Sequence, residues 1–237
     1  MSPVTSGLPA QLLATLGTAI VNGDLSPGAV LRTGEVERAH GVSRTVVRET
    51  LRVLESIGLV SSRRRVGITV LGRDAWNLLD PLVIRWRLAG PHRAEQLRSL
   101  TALRAAVEPM AARLAAHAAT PDSAAELTRL AVSLRASTHD PGVFLGHDIA
   151  FHQQVLAMSG NEMFAQLTDA VAEVLTHHNP LPSRPDATAV DLHWRVAACV
   201  AHGDGPGAET AMRAIVDQVG AEPGELLGAT PQPPPSR

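Results

Sequence analysis

Apolar residues in the first part of the chain recur at helical spacing. From Leu8 to Asn22 they fall at Leu12, Leu13, Leu16, Ile20 and Val21, one face of a helix. Gly23 ends that face as a left-handed residue, and Ser26-Pro27-Gly28 is a turn. Val30-Leu31 begins a short strand. A second helix is predicted over 34–40 with Thr33 as its cap, and Gly41-Val42 turns the chain. Ser43 caps a third helix over 44–57, whose buried face carries Val47, Leu51 and Leu54. Gly58 closes it. Leu59-Val60-Ser61-Ser62 and Val66-Gly67-Ile68-Thr69-Val70 then read as a hairpin around Arg63, Arg64 and Arg65.

After Gly72 the strand signal stops. Helices are predicted at 76–88, 94–117, Pro121–Ala136, 142–158, 162–178, 187–202 and 206–219. The helix over 94–117 carries a regular stripe of Leu97, Leu100, Leu103, Val107, Met110 and Leu114. Arg104 and Glu108 interrupt it, four apart on one face. From Pro223 the chain is Pro-rich and expected to be disordered. The predicted fold class is mostly α. A winged helix-turn-helix with a small β-hairpin occupies 8–72, an all-helical bundle 75–220 and a disordered tail 223–237.

Charge sharpens that division. Residues 1–72 hold 8 arginines against 5 acidic residues, and residues 73–237 hold 13 against 18. A basic module joined to an acidic one suits a polyanion reader with a second, different task. No apolar run approaches the roughly 20 residues of a membrane span, so no membrane partner is expected. The single cysteine, Cys199, excludes an internal disulfide. With no secretory pattern visible, a cytoplasmic location is expected.

A helix entering the major groove points its first turn at base edges. Here that turn offers Arg44 and Thr45, with Arg48 one turn on. Arginine pairs bidentately with guanine O6 and N7. Ser43 and Thr45 can bond phosphates beside the free N–H groups of the helix start. Arg63, Arg64 and Arg65 at a hairpin tip suit the phosphate backbone or a minor groove. The bland alternative is a solvated face on which arginines pair with Glu49 and Glu55. The preceding glycine turn and the following basic hairpin favour DNA.

Residues 8–71 resemble the winged helix-turn-helix of GntR-type bacterial transcription regulators. The resemblance rests on Pro27-Gly28, the run from Gly41 to Leu51, the run from Leu54 to Val60, and Arg65 to Val70. It implies DNA contacts at Arg44, Arg48 and the wing around Gly67. Many members carry an Arg-Glu pair early in the second helix; here Gly34-Glu35 stands there, leaving Arg32 or Arg38 to replace that contact. Residues 75–220 resemble the all-helical effector domain (FCD type) of the FadR-like branch, through Leu103 to Pro109, Asp148 to His152, Ser159-Gly160-Asn161 and His193. Trp76 to Pro81 with Ile84-Arg85-Trp86 further resembles members that respond to sugar acids such as galactonate.

Asp148 and His152, four apart, project from one helix face and could chelate a transition metal or simply hydrogen-bond. The resemblance implies a metal held by an aspartate, a histidine four later, a histidine on a distant helix and a final histidine. The first three fall on Asp148, His152 and His193; the fourth falls on Ile215, which cannot ligate. Three readings stay open. Zn, Ni or Mn sits on three protein ligands with water or an effector carboxylate, or His178 or His147 replaces the lost ligand, or the cavity binds its effector without metal. Arg104 can fork onto an effector carboxylate or pair with Glu108. His177-His178 can equally be a solvent-facing helix end.

The expected function is a repressor, not an enzyme. It would bind a double-stranded DNA operator as a homodimer and be controlled by a small carboxylate. One alternative is a metal-dependent hydrolase on Asp148, His152 and His193. Another is a ligand-free DNA-architectural dimer.

Overall fold

The computed structural model describes residues 7–63, 67–178 and 187–220, without the side chains of Arg63, His178, Val219 and Gly220. Arg64, Arg65 and the 223–237 tail therefore lie outside the described residues. By compactness the chain divides into a unit ending at Gln96 and a unit starting at Leu97.

In the first unit, α1 (Leu8–Asn22) is followed by β1 (Val30–Leu31), α2 (Thr33–His40), α3 (Arg44–Ser56), β2 (Val60–Arg63) and β3 (Gly67–Val70). The strands form an antiparallel sheet in the order β1-β3-β2, with Val30 opposite Thr69 and Val60 opposite Val70. The predicted hairpin is thus widened by a third strand. Leu12, Leu16, Ile20, Val47, Leu51, Leu54, Leu59 and Val70 are buried together as its core. The cap of α2 differs from expectation. Arg32 occupies the cap position and no side chain caps the helix, while Thr33 is its first residue.

Gly58 shapes the exit from α3. Its φ is +78°, and a Cβ there would lie 2.1 Å from the Ala75 carbonyl oxygen. That close approach lets the connecting segment lie against the end of α3, where Asn77 N–H donates to the Ile57 carbonyl at 2.9 Å.

The predicted helix at 76–88 is shorter than its apolar pattern. A 3-10 turn covers Arg73–Ala75, and α4 spans Pro81–Ala89. Pro81 disfavours helical geometry in the residue before it, so Asp80 is extended and accepts from Leu82 N–H at 2.9 Å as the cap. Trp86 of α4 lies against Gly17 of α1, where a Cβ would come within 2.3 Å of the ring. Through Val83 and Trp86, α4 joins the first unit's core. For that reason the compact division falls at 96/97 and not near the sequence-based joint at 72–75.

Helix α5 (Arg93–Ala118) leads into the second unit, followed by α6 (Pro121–Ala136), α7 (Pro141–Ala157), α8 (Glu162–Ala165), α9 (Thr168–His178), α10 (Ala187–Ala201) and α11 (Gly205–Gly220). The helix expected over 162–178 is two helices. At the junction, Leu167 N–H turns back to the Phe164 carbonyl and the Thr168 hydroxyl donates to the Ala165 carbonyl at 3.1 Å. The core is built from Ala111, Ala112 and Ala115 of α5, Leu127 and Leu134 of α6, Phe151 and Val155 of α7, Val196 of α10 and Met212 of α11.

The buried face of α5 was not the one its leucines marked. Leu100 is buried, but Leu97, Leu103, Val107 and Leu114 are half-buried and Met110 is exposed. Arg104 and Glu108 are each 1% exposed, in line with the alanines. Alanines on this face let neighbouring helices come close, and the two charges satisfy one another there.

Candidate functional site

Two groups of polar residues stand out, one in each unit. The first begins at the start of α3. Ser43 is extended, and its hydroxyl accepts from Val46 N–H at 3.4 Å, so the cap assignment holds. Arg44, Thr45 and Arg48 are exposed. Among the described residues neither Arg44 nor Arg48 has an ion-pair partner. The bland alternative, arginines paired with Glu49 and Glu55, holds among the described residues only for Arg52, whose Nη1 lies 2.7 Å from Glu49 Oε1. Glu55 is used elsewhere, accepting from Ser62 N–H at 2.7 Å and so tying α3 to β2.

Between helix and sheet runs a groove of about 210 Å³, lined by Arg48, Leu51, Arg52, Glu55, Val60, Ser62 and Ile68. Gly67 sits at the start of β3 with φ +105°, opposite Arg63. The two proposed substitutes on α2 are engaged locally. Arg32 pairs with Glu35 at 3.2 Å, and Arg38 Nε donates to the Gly34 carbonyl at 3.1 Å. Both remain exposed.

The second group is buried in the helical unit. Asp148 and His152 come from α7 and His193 from α10, and one ligand atom from each lies within 4.8 Å of the others. His152 is 1% exposed and His193 2%. The spacing argument that put Asp148 and His152 on one face is met, and α10 brings His193 to them.

The proton positions can be argued from partners. His193 Nδ1 lies 2.7 Å from the Ala189 carbonyl, which can only accept, so Nδ1 carries hydrogen. His152 Nδ1 lies 2.5 Å from Glu108 Oε2, an acceptor when ionised. In neutral rings both Nε2 atoms are then lone pairs. They face Asp148 Oδ1, at 3.0 Å from His193 and 3.7 Å from His152. His193 Nε2 is buried and makes no well-directed hydrogen bond. With both rings neutral, three electron-rich atoms converge without a donor, which fits a divalent cation, and both Nδ1 atoms are held from behind as ligating histidines require. The residues present therefore fit a metal. No fourth ligand joins them among the described residues. Ile215 is a 4% exposed core residue, and His147 is half-buried outside the set. The His178 side chain lies outside the described residues.

Arg104 meets one of the two alternatives its sequence offered, pairing with Glu108. Its Nε lies 2.5 Å from Glu108 Oε1 and its Nη2 3.4 Å from Oε2, so the intrahelical pair forms. Nη1 is left buried without a partner. Burial opposes ionisation of Glu108, but Arg104 and His152 outweigh it and hold its pKa down at about 2. Asp148 is likewise held below its ordinary value: burial opposes this, and when the rings carry protons in place of a metal, a hydrogen bond from His193, the charge on both histidines and Arg104 prevail. Burial would discharge Arg104, but Glu108 and then Asp148 raise its pKa instead.

Sequence reasoning missed the contact between Glu108 and His152. They lie 44 residues apart. No local spacing marks that pair.

Residues 8–70 match the bacterial regulatory proteins of the gntR family, and residues 99–218 match the FCD domain. The galactonate operon transcriptional repressor of Escherichia coli is 31% identical over 165 residues, covering 69% of this chain and 72% of its own. An uncharacterised HTH-type regulator of the same organism, YieP, is 28% identical over 211 residues, covering 86% and 90%. A solved Streptococcus agalactiae GntR structure shares the fold, with TM-score 0.52 at 21% identity, covering 89% of this chain and 98% of that one.

Proposed function

The chain belongs to the GntR family of bacterial regulatory proteins, in the group that carries an FCD domain, and from that premise we propose that it is a repressor released or retained by a small carboxylate. It is a DNA-binding transcription regulator. That family membership sets aside the hydrolase reading of Asp148, His152 and His193.

In this reading residues 8–72 bind a double-stranded operator and residues 75–220 bind effector and dimerise. The protein acts as a cytoplasmic homodimer, because one short recognition helix reads few base pairs and palindromic half-sites match two-fold symmetry. Among the described residues no helix is long and apolar enough to cross a membrane. Arg44 and Arg48 read bases. Ser43, Thr45, Gly67 and Arg63 to Arg65 hold the backbone, with Arg32 and Arg38 beside them. The observation that supports this most is that, among the described residues, Arg44 and Arg48 stand exposed at the start of α3 without acidic partners, with Arg48 lining the groove below the wing.

Asp148, His152 and His193 would hold Zn, Ni or Mn, which as a Lewis acid would grip an effector carboxylate. Arg104 Nη1, unpartnered and buried, is a second grip for the same group. His178 stays a further effector contact of the proposal. The galactonate repressor among the relatives supports a sugar acid as effector class. A ligand-free architectural dimer would want a dry apolar centre; the buried Arg104, Glu108, His152 and His193 favour ligand control. An effector regulates only as far as it prefers one of two arrangements of the DNA-reading heads.

The test pairs two measurements. Arg44→Ala should lose specific operator binding while the dimer stays folded, and unchanged specific affinity would sink the DNA assignment. A thermal-shift screen of sugar acids, with and without added metal, should give a hit that also changes operator affinity.

A further inference from the structure

The Asp148, His152 and His193 set is backed by a carboxylate that is not one of the three. Glu108 is 1% exposed and reaches across from α5 to α7. Its Oε2 lies 2.5 Å from His152 Nδ1, and its Oε1 lies 2.5 Å from Arg104 Nε. An ionised carboxylate can only accept, so this contact decides which nitrogen of His152 bears hydrogen. It directs the lone pair at Nε2 toward Asp148 and His193. The other histidine is fixed differently, by the Ala189 carbonyl of its own helix. A helix carbonyl four residues back is available to any helical histidine. A buried carboxylate from another helix is not, and it is tolerated here because Arg104 pairs with it.

We infer that Glu108 is a positioning residue for a divalent metal at Asp148, His152 and His193, fixing the ring and tautomer of His152, with Arg104 holding Glu108 in place. The inference rests on the metal reading proposed above. It adds that Arg104 acts mainly through Glu108, with only Nη1 left for a ligand.

The experiment uses the full-length protein and Co²⁺ as the probe, titrated by its visible absorption bands and by equilibrium dialysis. Nitrogen-15 NMR of the histidine rings in the metal-free protein reports the tautomer. The wild type should bind Co²⁺ and show His152 protonated at Nδ1. Glu108→Gln keeps the side chain's length but can donate as well as accept. It should lose about 10–100-fold in Co²⁺ affinity, change the Co²⁺ bands and mix the His152 tautomers. Wild-type binding with an unchanged affinity and spectrum in Glu108→Gln would overturn the positioning role and leave the metal reading standing. No Co²⁺ binding by the wild type would overturn both. If Glu108→Gln fails to fold, the wild-type ring spectrum still decides: His152 protonated only at Nε2 overturns the inference.

Discussion

Arg48 and Arg104 carry the same side chain into opposite circumstances. Arg48 stands in water on α3 with no acidic partner among the described residues, beside an open groove. Arg104 is 1% exposed and clamped to Glu108. An exposed cation is stabilised by solvent, so it can stay unpaired and be spent on a polyanion. A buried cation must be neutralised within the fold, so most of its bonding capacity is committed before a ligand arrives. At the start of α3 the charge of Arg48 is therefore kept free, whereas Arg104 is locked into a buried network whose leftover atoms are its own Nη1 and His193 Nε2.

The largest expected effect lies on the buried side. Arg104→Ala leaves Glu108 as an uncompensated buried charge and should cost about 3–5 kcal/mol of stability, read from urea unfolding of the metal-free protein. A loss below 1 kcal/mol would mean that the network is solvated and that the contrast with Arg48 is false.

Acid tests the same pair without mutation. The folded pKa of Glu108 is lowered from 4.5 to about 2, so its contribution is full above the unfolded value of 4.5 and fades as pH falls toward 2. A shift of that size corresponds to about 3 kcal/mol lost across the window. Asp148, also lowered, adds in the same direction. Unfolding free energies measured from pH 6 down to pH 2 should show this limb, flattened in Glu108→Gln.

The exposed side should respond in binding alone. Arg48→Ala should cost about 1–3 kcal/mol of operator discrimination. Its unfolding free energy should move by no more than about 0.5 kcal/mol. Comparison of specific with nonspecific DNA in fluorescence anisotropy checks the first, and a melting curve the second. The smallest change is expected for Arg52→Ala. Its ion pair with Glu49 has side chains 62% and 58% exposed, so at most about 0.5 kcal/mol of stability should go. An operator defect in Arg52→Ala as large as that of Arg48→Ala would show that pairing with Glu49 does not hold Arg52 back from DNA.

Much of this was legible in the chain. The cap at Ser43, the order of helices and hairpin, and the helical run from Arg93 onward follow from local propensity and short-range spacing, which act within a few residues. Asp148 and His152 were legible for the same reason, being four apart on α7. What failed, failed for identifiable causes. The apolar pattern through 76–80 looked helical, but Pro81 set the helix start. The leucine stripe of α5 pointed to the wrong buried face, because a hydrophobic pattern cannot count two opposite charges that cancel each other. The packing of α4 on α1 through Trp86 and Gly17, which carries the compact division to 96/97, has no local signature.

The sequence alone determined the family and the winged reading head, because those depend on motifs contiguous along the chain. Tertiary structure alone decided which charges are free and which are committed. It brought Glu108 of α5, His152 of α7 and His193 of α10 together, and it set two imidazole Nε2 atoms beside the one carboxylate of Asp148. Such distances join residues far apart in sequence, and burial, which sets the cost of leaving a charge unpaired, exists only once the helices have packed.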